Sequence, residues 1–220
     1  MKNLKTMLFT LVAIFGLTTV SNAASITGLY FEVGSSAAGV AVDGSATDTG
    51  SNSTTVGTVG KTAVLAHYGA GYMTSRTNKL GLDLGYILTP GNAKIKRTSD
   101  SSLSDVTFEI SDTEEYYIAP MINITEDASL YLKFGWNKSD VNTTGDVTKI
   151  TSMDGDTIAL GTVMSWGSNL YIRSEAGMTD YDKITASGLG STAVGGIGTD
   201  ETVTANPELY YGKIAVGYKF

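Results

Sequence analysis

Leu80-Gly81-Leu82-Asp83-Leu84-Gly85-Tyr86-Ile87-Leu88 alternates two chemistries. In an extended chain, successive side chains point to opposite faces, so the four leucines and Tyr86 share one side while Gly81, Asp83, Gly85 and Ile87 share the other. A half-buried strand of a water-soluble protein reads the same way in isolation, so the argument rests on what repeats. Leu130, Leu132, Phe134 and Trp136 alternate with Tyr131, Lys133, Gly135 and Asn137. Ile158, Leu160, Thr162, Met164 and Trp166 alternate with Ala159, Gly161, Val163 and Ser165. One face is bulky and apolar; the other is small, polar or charged.

Working outward from these segments, the spacing predicts eight strands, roughly 26–34, 62–72, 80–88, 106–122, 130–137, 157–166, 170–181 and 209–220. Most have about the 9–11 residues that a tilted strand needs to cross a bilayer. The connections alternate in length. Those at 43–60, 89–105, 138–156 and 182–207 are long and rich in Gly, Ser, Thr and Asp, whereas 73–79, 123–129 and 167–169 are short. Tight turns at one end and extended loops at the other are the pattern of a transmembrane barrel, with both chain ends on the side of the tight turns. No segment carries a helical period. In the fourth strand, 112–115 interrupts the alternation and is expected above the membrane, and the seventh strand has a polar gap at Ser174 and Ala176.

The decisive observation is which face carries charge. Glu32, His67, Asp83, Tyr131, Lys133, Arg173, Glu175, Tyr211 and Lys213 all fall opposite the leucines. An eight-stranded barrel has an interior only wide enough to be filled by side chains. Placing the charges inside, where opposite signs pair, and the leucines outside is favourable only if the outside is hydrocarbon. Aromatic positions agree with such a slab, because aromatics gather at membrane interfaces. Tyr72, Trp166, Tyr218 and Phe220 fall at one rim, and Tyr86, Tyr116, Trp136 and Tyr210 at the other. The expected fold is therefore all-β: an eight-stranded antiparallel up-and-down transmembrane β-barrel. An even strand number closes it, leaving no unpaired backbone edge in lipid.

Composition narrows the classes further. The 220 residues include 26 glycines and 12 tyrosines but no cysteine, which excludes thiol catalysis, disulfide scaffolds and cysteine-ligated zinc. With 15 basic against 22 acidic side chains, the chain lacks the basic surplus that nucleic-acid binding needs. A mean hydropathy of +0.04 does not separate a soluble protein from a barrel that alternates its faces. At the amino end, Lys2 and Lys5 precede the apolar run 7–17, which is followed by Ser21-Asn22-Ala23. This reads as a secretory signal peptide over 1–23, cleaved to leave a barrel domain over 24–220; the run is too short to span a membrane.

The closing strand, Tyr210-Tyr211-Gly212-Lys213-Ile214-Ala215-Val216-Gly217-Tyr218-Lys219-Phe220, alternates apolar residues back from a terminal phenylalanine. It resembles the carboxy-terminal signature of bacterial outer-membrane barrel proteins. The stretch 119–131 is similar to the central hairpin of small OmpX-type barrels, and the whole resembles the OmpX/OmpA transmembrane-barrel, porin-like family. The resemblance implies a Gram-negative outer membrane. It implies contact with lipid and lipopolysaccharide, and recognition by the barrel-assembly machinery through Tyr210, Ile214, Val216, Tyr218 and Phe220. It also implies a structural or adhesion-like surface role carried by long outer loops, with an extracellular partner. The alternatives are a small porin or channel for ions or hydrophobic solutes and, behind it, a lipid-modifying enzyme.

His67, the only histidine, lies midway along its strand and faces inward, so it reads as a packed lumen residue rather than the base of a Ser-His-Asp hydrolase. Glu32, His67, Asp83, Lys133, Arg173, Glu175 and Lys213 are expected to form a static lumen network that keeps the barrel plugged, because unpaired charges in a narrow interior are costly. Asp154-Gly155-Asp156 and the pair Asp200 and Glu201 fall short of a calcium loop's ligand count, and read as solvated loop. Lys94, Lys96 and Arg97 form a basic cluster that could meet lipopolysaccharide phosphates. No cofactor, metal or catalytic residue is expected, and no nucleic-acid partner.

Overall fold

The computed structural model describes residues 27–48, 53–75, 79–96, 107–144, 147–188 and 201–220; the expected signal peptide over 1–23 lies outside them. The strands are β1 (Gly28–Asp48), β2 (Ser53–Ser75), β3 (Leu80–Lys96), β4 (Thr107–Asn123), β5 (Ala128–Thr144), β6 (Ser152–Trp166), β7 (Leu170–Tyr181), β8 (Ile184–Ser187) and β9 (Glu201–Lys219). Each of β1 to β6 pairs antiparallel with the next, β7 pairs with β9, and β9 returns to β1 from Tyr30↔Lys219 to Asp48↔Glu201. The sheet thus closes as an eight-stranded antiparallel barrel. The short β8 continues the line of β7, pairing with the upper part of the same edge of β9 from Ile184↔Ala205 to Ser187↔Thr202.

The side-chain faces follow the alternation. Leu84 is 46% exposed on the outer wall, whereas its neighbour Asp83 is fully buried inside. Leu82 is also on the outer face but is covered, flanked in register by Thr74 and Pro120. Leu29, Phe31, Val33, Leu132, Leu160, Ile172 and Ile214 extend the exposed apolar wall around the ring. At the base, Trp166, Tyr72, Tyr218 and Phe220 point outward, with the Tyr218 and Phe220 rings 5.1 Å apart. Higher up, Tyr86, Tyr116 and Trp136 stand side by side across β3, β4 and β5, and Tyr210 is exposed on the outer face of β9. Ten residues separate Phe220 from Tyr210. At ~3.3 Å per residue and a tilt of about 40°, that is roughly 25 Å of height, matching the apolar band of an outer-membrane barrel.

The strands run further than the periodicity predicts. The expected loop at 43–60 is a continuation of the β1–β2 hairpin, paired up to Asp48↔Ser53, and much of 89–105, 138–156 and 182–207 is strand as well. Backbone pairing needs no apolar face. Once a strand clears the membrane, nothing requires bulky residues outside, so Gly, Ser and Thr fill it and the hydrophobic signal fades while the ladder continues. The expected break at 112–115 is smaller than the sequence implies: Asp112 has a positive φ of 44° at a bulge, and β4 resumes its register by Glu114.

Inward glycines set the close packing of the interior. A Cβ at Gly34 would strike the His67 ring, one at Gly85 the Tyr30 and Tyr117 hydroxyls, one at Gly161 the Tyr131 ring, and one at Gly217 the Tyr171 ring. Each glycine is the recess that admits a large side chain from an adjoining strand.

Candidate functional site

The lumen is built in tiers. Nearest the base, Tyr30, Met73, Ala119, Met121, Val163 and Tyr171 form a buried cluster with Tyr117 and Tyr131. The ionised side chains lie among and above these tyrosines. Over them, Val40, Ile110, Val141, Met153, Tyr181 and Ile184 make a second apolar cluster. Above that, Val147 from the β5–β6 connection packs on Ala186 of β8, held by the Thr148 N–H donating to the Ser187 carbonyl at 2.8 Å.

The charged tier divides into two groups. In the lower one, Arg173 from β7 donates through Nε to Glu32 Oε2 at 2.9 Å and places Nη1 2.8 Å from Asp83 Oδ2. Tyr171 donates to Glu32 at 2.7 Å, and Tyr30 and Tyr117 donate to the two oxygens of Asp83 at 2.9 and 3.1 Å. The guanidinium carbon is also 5.3 to 5.8 Å from the ring centres of Tyr131, Tyr30 and Tyr171, so its faces meet aromatic electrons. In the upper group, Lys133 sits 2.6 Å from Glu175 and 2.7 Å from Glu115, and Lys213 lies 2.9 Å from Glu115. Tyr131 and Tyr211 donate to Glu175 at 2.8 and 2.9 Å.

The structure brings together six of the sequence-predicted lumen residues, Glu32, Asp83, Lys133, Arg173, Glu175 and Lys213, in these two groups. His67 stands apart: it is buried over Gly34, and its Nδ1 has no hydrogen-bond partner. A catalytic histidine needs a carboxylate or equivalent on that nitrogen to fix its tautomer. Glu115 is the charged residue that sequence reasoning missed. Assigned above the membrane with its acidic neighbours, it is instead buried and joins the two lysines. The tyrosines at 30, 117 and 171 were also missed, and parity was the available signal. Tyr30 lies two residues from Glu32, and Tyr117 lies two from Glu115.

Elsewhere, Asp154-Gly155-Asp156 is part of β6, and among the described residues no group of acidic and histidine side chains has the geometry to hold a metal. Asp200 and Arg97 lie outside the described residues, and Glu201 and Lys96 are described only as backbone. Lys94 is largely exposed and 3.4 Å from Glu109. A cavity of about 70 Å³ remains in the upper lumen, floored by Glu115 and Lys213 and walled by Val40, Leu65, Ile110 and Leu209.

No protein-family model matches this chain, and no curated protein matches its sequence. Solved structures do match. The outer membrane protein OprG from Pseudomonas aeruginosa aligns with a TM-score of 0.56 and 18% identity, over 88% of this chain and 97% of that one. The outer membrane protease OmpT from Escherichia coli aligns with a TM-score of 0.51 and 8% identity, over 92% and 99%. Ail, the attachment invasion locus protein of Yersinia pestis, aligns at a TM-score of 0.42 and 15% identity, over 85% and 99%. At these identities the likeness to OprG and OmpT is one of fold alone, a closed antiparallel β-barrel.

Proposed function

We propose that this chain is an integral protein of a Gram-negative outer membrane, with a sealed lumen and a structural or surface-interaction role carried by the part of the barrel that rises above the lipid. The observation carrying this reading is the inversion of the wall: Arg173, Lys133 and four carboxylates are buried and paired inside, while leucines, isoleucines and aromatics are exposed outside. Water outside would reverse that arrangement. The outward row Tyr210, Ile214, Val216, Tyr218 and Phe220, all exposed, supports recognition of the last strand by the barrel-assembly machinery. The exposed Lys94 supports contact with lipopolysaccharide phosphate.

The sealed reading predicts silence when the refolded protein is added to a planar lipid bilayer, since apolar clusters lie on both sides of the charged tier. Steady single-channel conductance would instead support a pore. A histidine-dependent lipid-modifying or proteolytic role is disfavoured by the burial of His67 among the lumen side chains over Gly34. If any hydrolytic activity is found in the pure protein, its loss in His67→Ala would overturn the non-enzymatic reading.

A further inference from the structure

Above Tyr210 the outer wall on one side of the barrel changes chemistry. β8, β9, β1 and β2 lie side by side in that order, and their registers line residues up in rows that cross all four strands. One row is Ser187, Thr202, Thr47 and Thr54, and the next row below it is Thr185, Thr204, Ser45 and Val56. Ala186 and Val203, which alternate with them, pack inward against Val147, so the rows face outward. Every side chain in the two rows is exposed or half-buried, and all but Val56 carry a hydroxyl.

Strand geometry spaces these hydroxyls at ~4.8 Å across the strands and ~6.7 Å along them. Neighbours also pair: Ser45 Oγ is 2.8 Å from Thr204 Oγ1, and Thr47 Oγ1 is 3.3 Å from Thr54 Oγ1. A hydroxyl has one donor and two acceptor sites, so each pair still offers a hydrogen and free lone pairs to the outside. The preference of threonine for strands explains its presence but not the absence of charge from both rows. On the opposite side of the barrel, the exposed outward sites of β5 and β6 beyond Trp136 include Lys138, Asp140 and Asp154, the usual chemistry of a solvated strand face.

Direction and height decide what this face meets. Thr204 and Thr202 lie six and eight residues beyond Tyr210 on β9. At ~3.3 Å per residue and a tilt of about 40°, that is roughly 15–20 Å above the ring of Tyr210. The rows point sideways, so a partner arriving from outside the cell reaches the strand tips first, whereas the headgroups of neighbouring lipids stand against the rows themselves. In a glycolipid leaflet the layer at this height is sugar. An uncharged face of interleaved donors and acceptors matches sugar hydroxyls, which both donate and accept. It offers no counter-charge to phosphate, which the exposed Lys94 on β3 supplies instead.

We propose that the hydroxyl rows of β8, β9, β1 and β2 are a binding face for the neutral sugars of the lipopolysaccharide molecules that stand beside the barrel. This rests on the outer-membrane reading with its lipopolysaccharide contact, and names the part of the glycolipid that is recognised. Each hydrogen bond to a sugar is weak by itself, and the regular array makes several of them together.

The test reconstitutes the folded barrel into bilayers of phospholipid with two glycolipids in equal amounts: lipopolysaccharide bearing its neutral sugars, and a truncated form that keeps the phosphates and lacks those sugars. Small polymer-bounded discs are then cut around the protein and their lipids weighed by mass spectrometry. The sugar-bearing form should exceed the truncated one about threefold or more, since several hydrogen bonds favour it. Thr47→Val, Thr54→Val, Thr202→Val and Thr204→Val made together remove four hydroxyls and keep the β-branched shape, and should return the ratio to that of the bulk bilayer. Folding of this variant is checked by its gel mobility before and after boiling, and the ratio around the native protein tests the proposal even if the variant fails to fold. No excess of the sugar-bearing form around the native protein, as when a second copy covers the rows, would overturn the proposal, and so would an excess that persists in the folded variant. Equal enrichment of both glycolipids over phospholipid would leave the phosphate contact standing, whereas depletion of both would refute that reading as well.

Discussion

Arg173 shows how much one lumen side chain holds in place. Its Nε and Nη1 serve two carboxylates on different strands, Glu32 of β1 and Asp83 of β3, and so tie three strands from inside the barrel. Replacing it by leucine keeps the apolar stem but leaves two buried carboxylates without their counter-charge. We expect Arg173→Leu to cost about 3–5 kcal/mol, the range for breaking a buried ion pair from one side. Arg173→Lys should fall between leucine and the native residue, because a single ammonium cannot present two separate edges. Urea unfolding in phospholipid vesicles measures both, and a leucine variant as stable as the native protein would mean that Glu32 and Asp83 are not held as ions there. At this scale the sequence was readable where alternation was clean. Asp83, Lys133 and Arg173 were assigned inward from parity alone. Glu115 was not, since it sits in the acidic run 112–115 and looked like solvent-facing loop. Lys133 and Lys213 converge on it from two other strands, a long-range pairing that local alternation does not encode.

β2 and β3 show why strand cores were legible and strand ends were not. In the lipid, each strand must present bulky apolar residues every second position, which imprints a period of two that can be read directly. Above the lipid that requirement lapses, and residues 53–60 look like linker although they are paired strand. The same argument separates two outward substitutions. Leu84 of β3 lies in the exposed apolar wall, and Leu84→Arg should cost on the order of 2–4 kcal/mol if the position lies near mid-membrane. Val56 of β2 is more exposed still, yet it lies in the outer extension, where an arginine meets water. Val56→Arg should change stability by no more than about 0.5 kcal/mol. Unfolding of the two variants side by side in vesicles checks the contrast; comparable losses would place the membrane boundary wrongly.

For the whole molecule, the arrangement amounts to a soluble protein turned inside out, and this governs how it should behave outside a membrane. In water the apolar wall would drive chains together, whereas in detergent or lipid the wall is solvated and the interior stays paired. Among the described residues each strand of the ring pairs with both of its neighbours in the lower part of the barrel, and β9 returns to β1 from Tyr30↔Lys219 to Asp48↔Glu201. The closed lower ring should therefore yield cooperatively. We expect the folded protein to resist dodecyl sulfate at room temperature and to change gel mobility only after boiling. The transition should move to lower temperature in Arg173→Leu, since the detergent attacks from outside while that variant is weakened from within. A protein that runs identically with and without boiling in membrane fractions would refute a closed barrel in this chain. If Val56→Arg shifted the transition as far as Arg173→Leu does, stability would reside in the outer extension instead of in the buried charge groups.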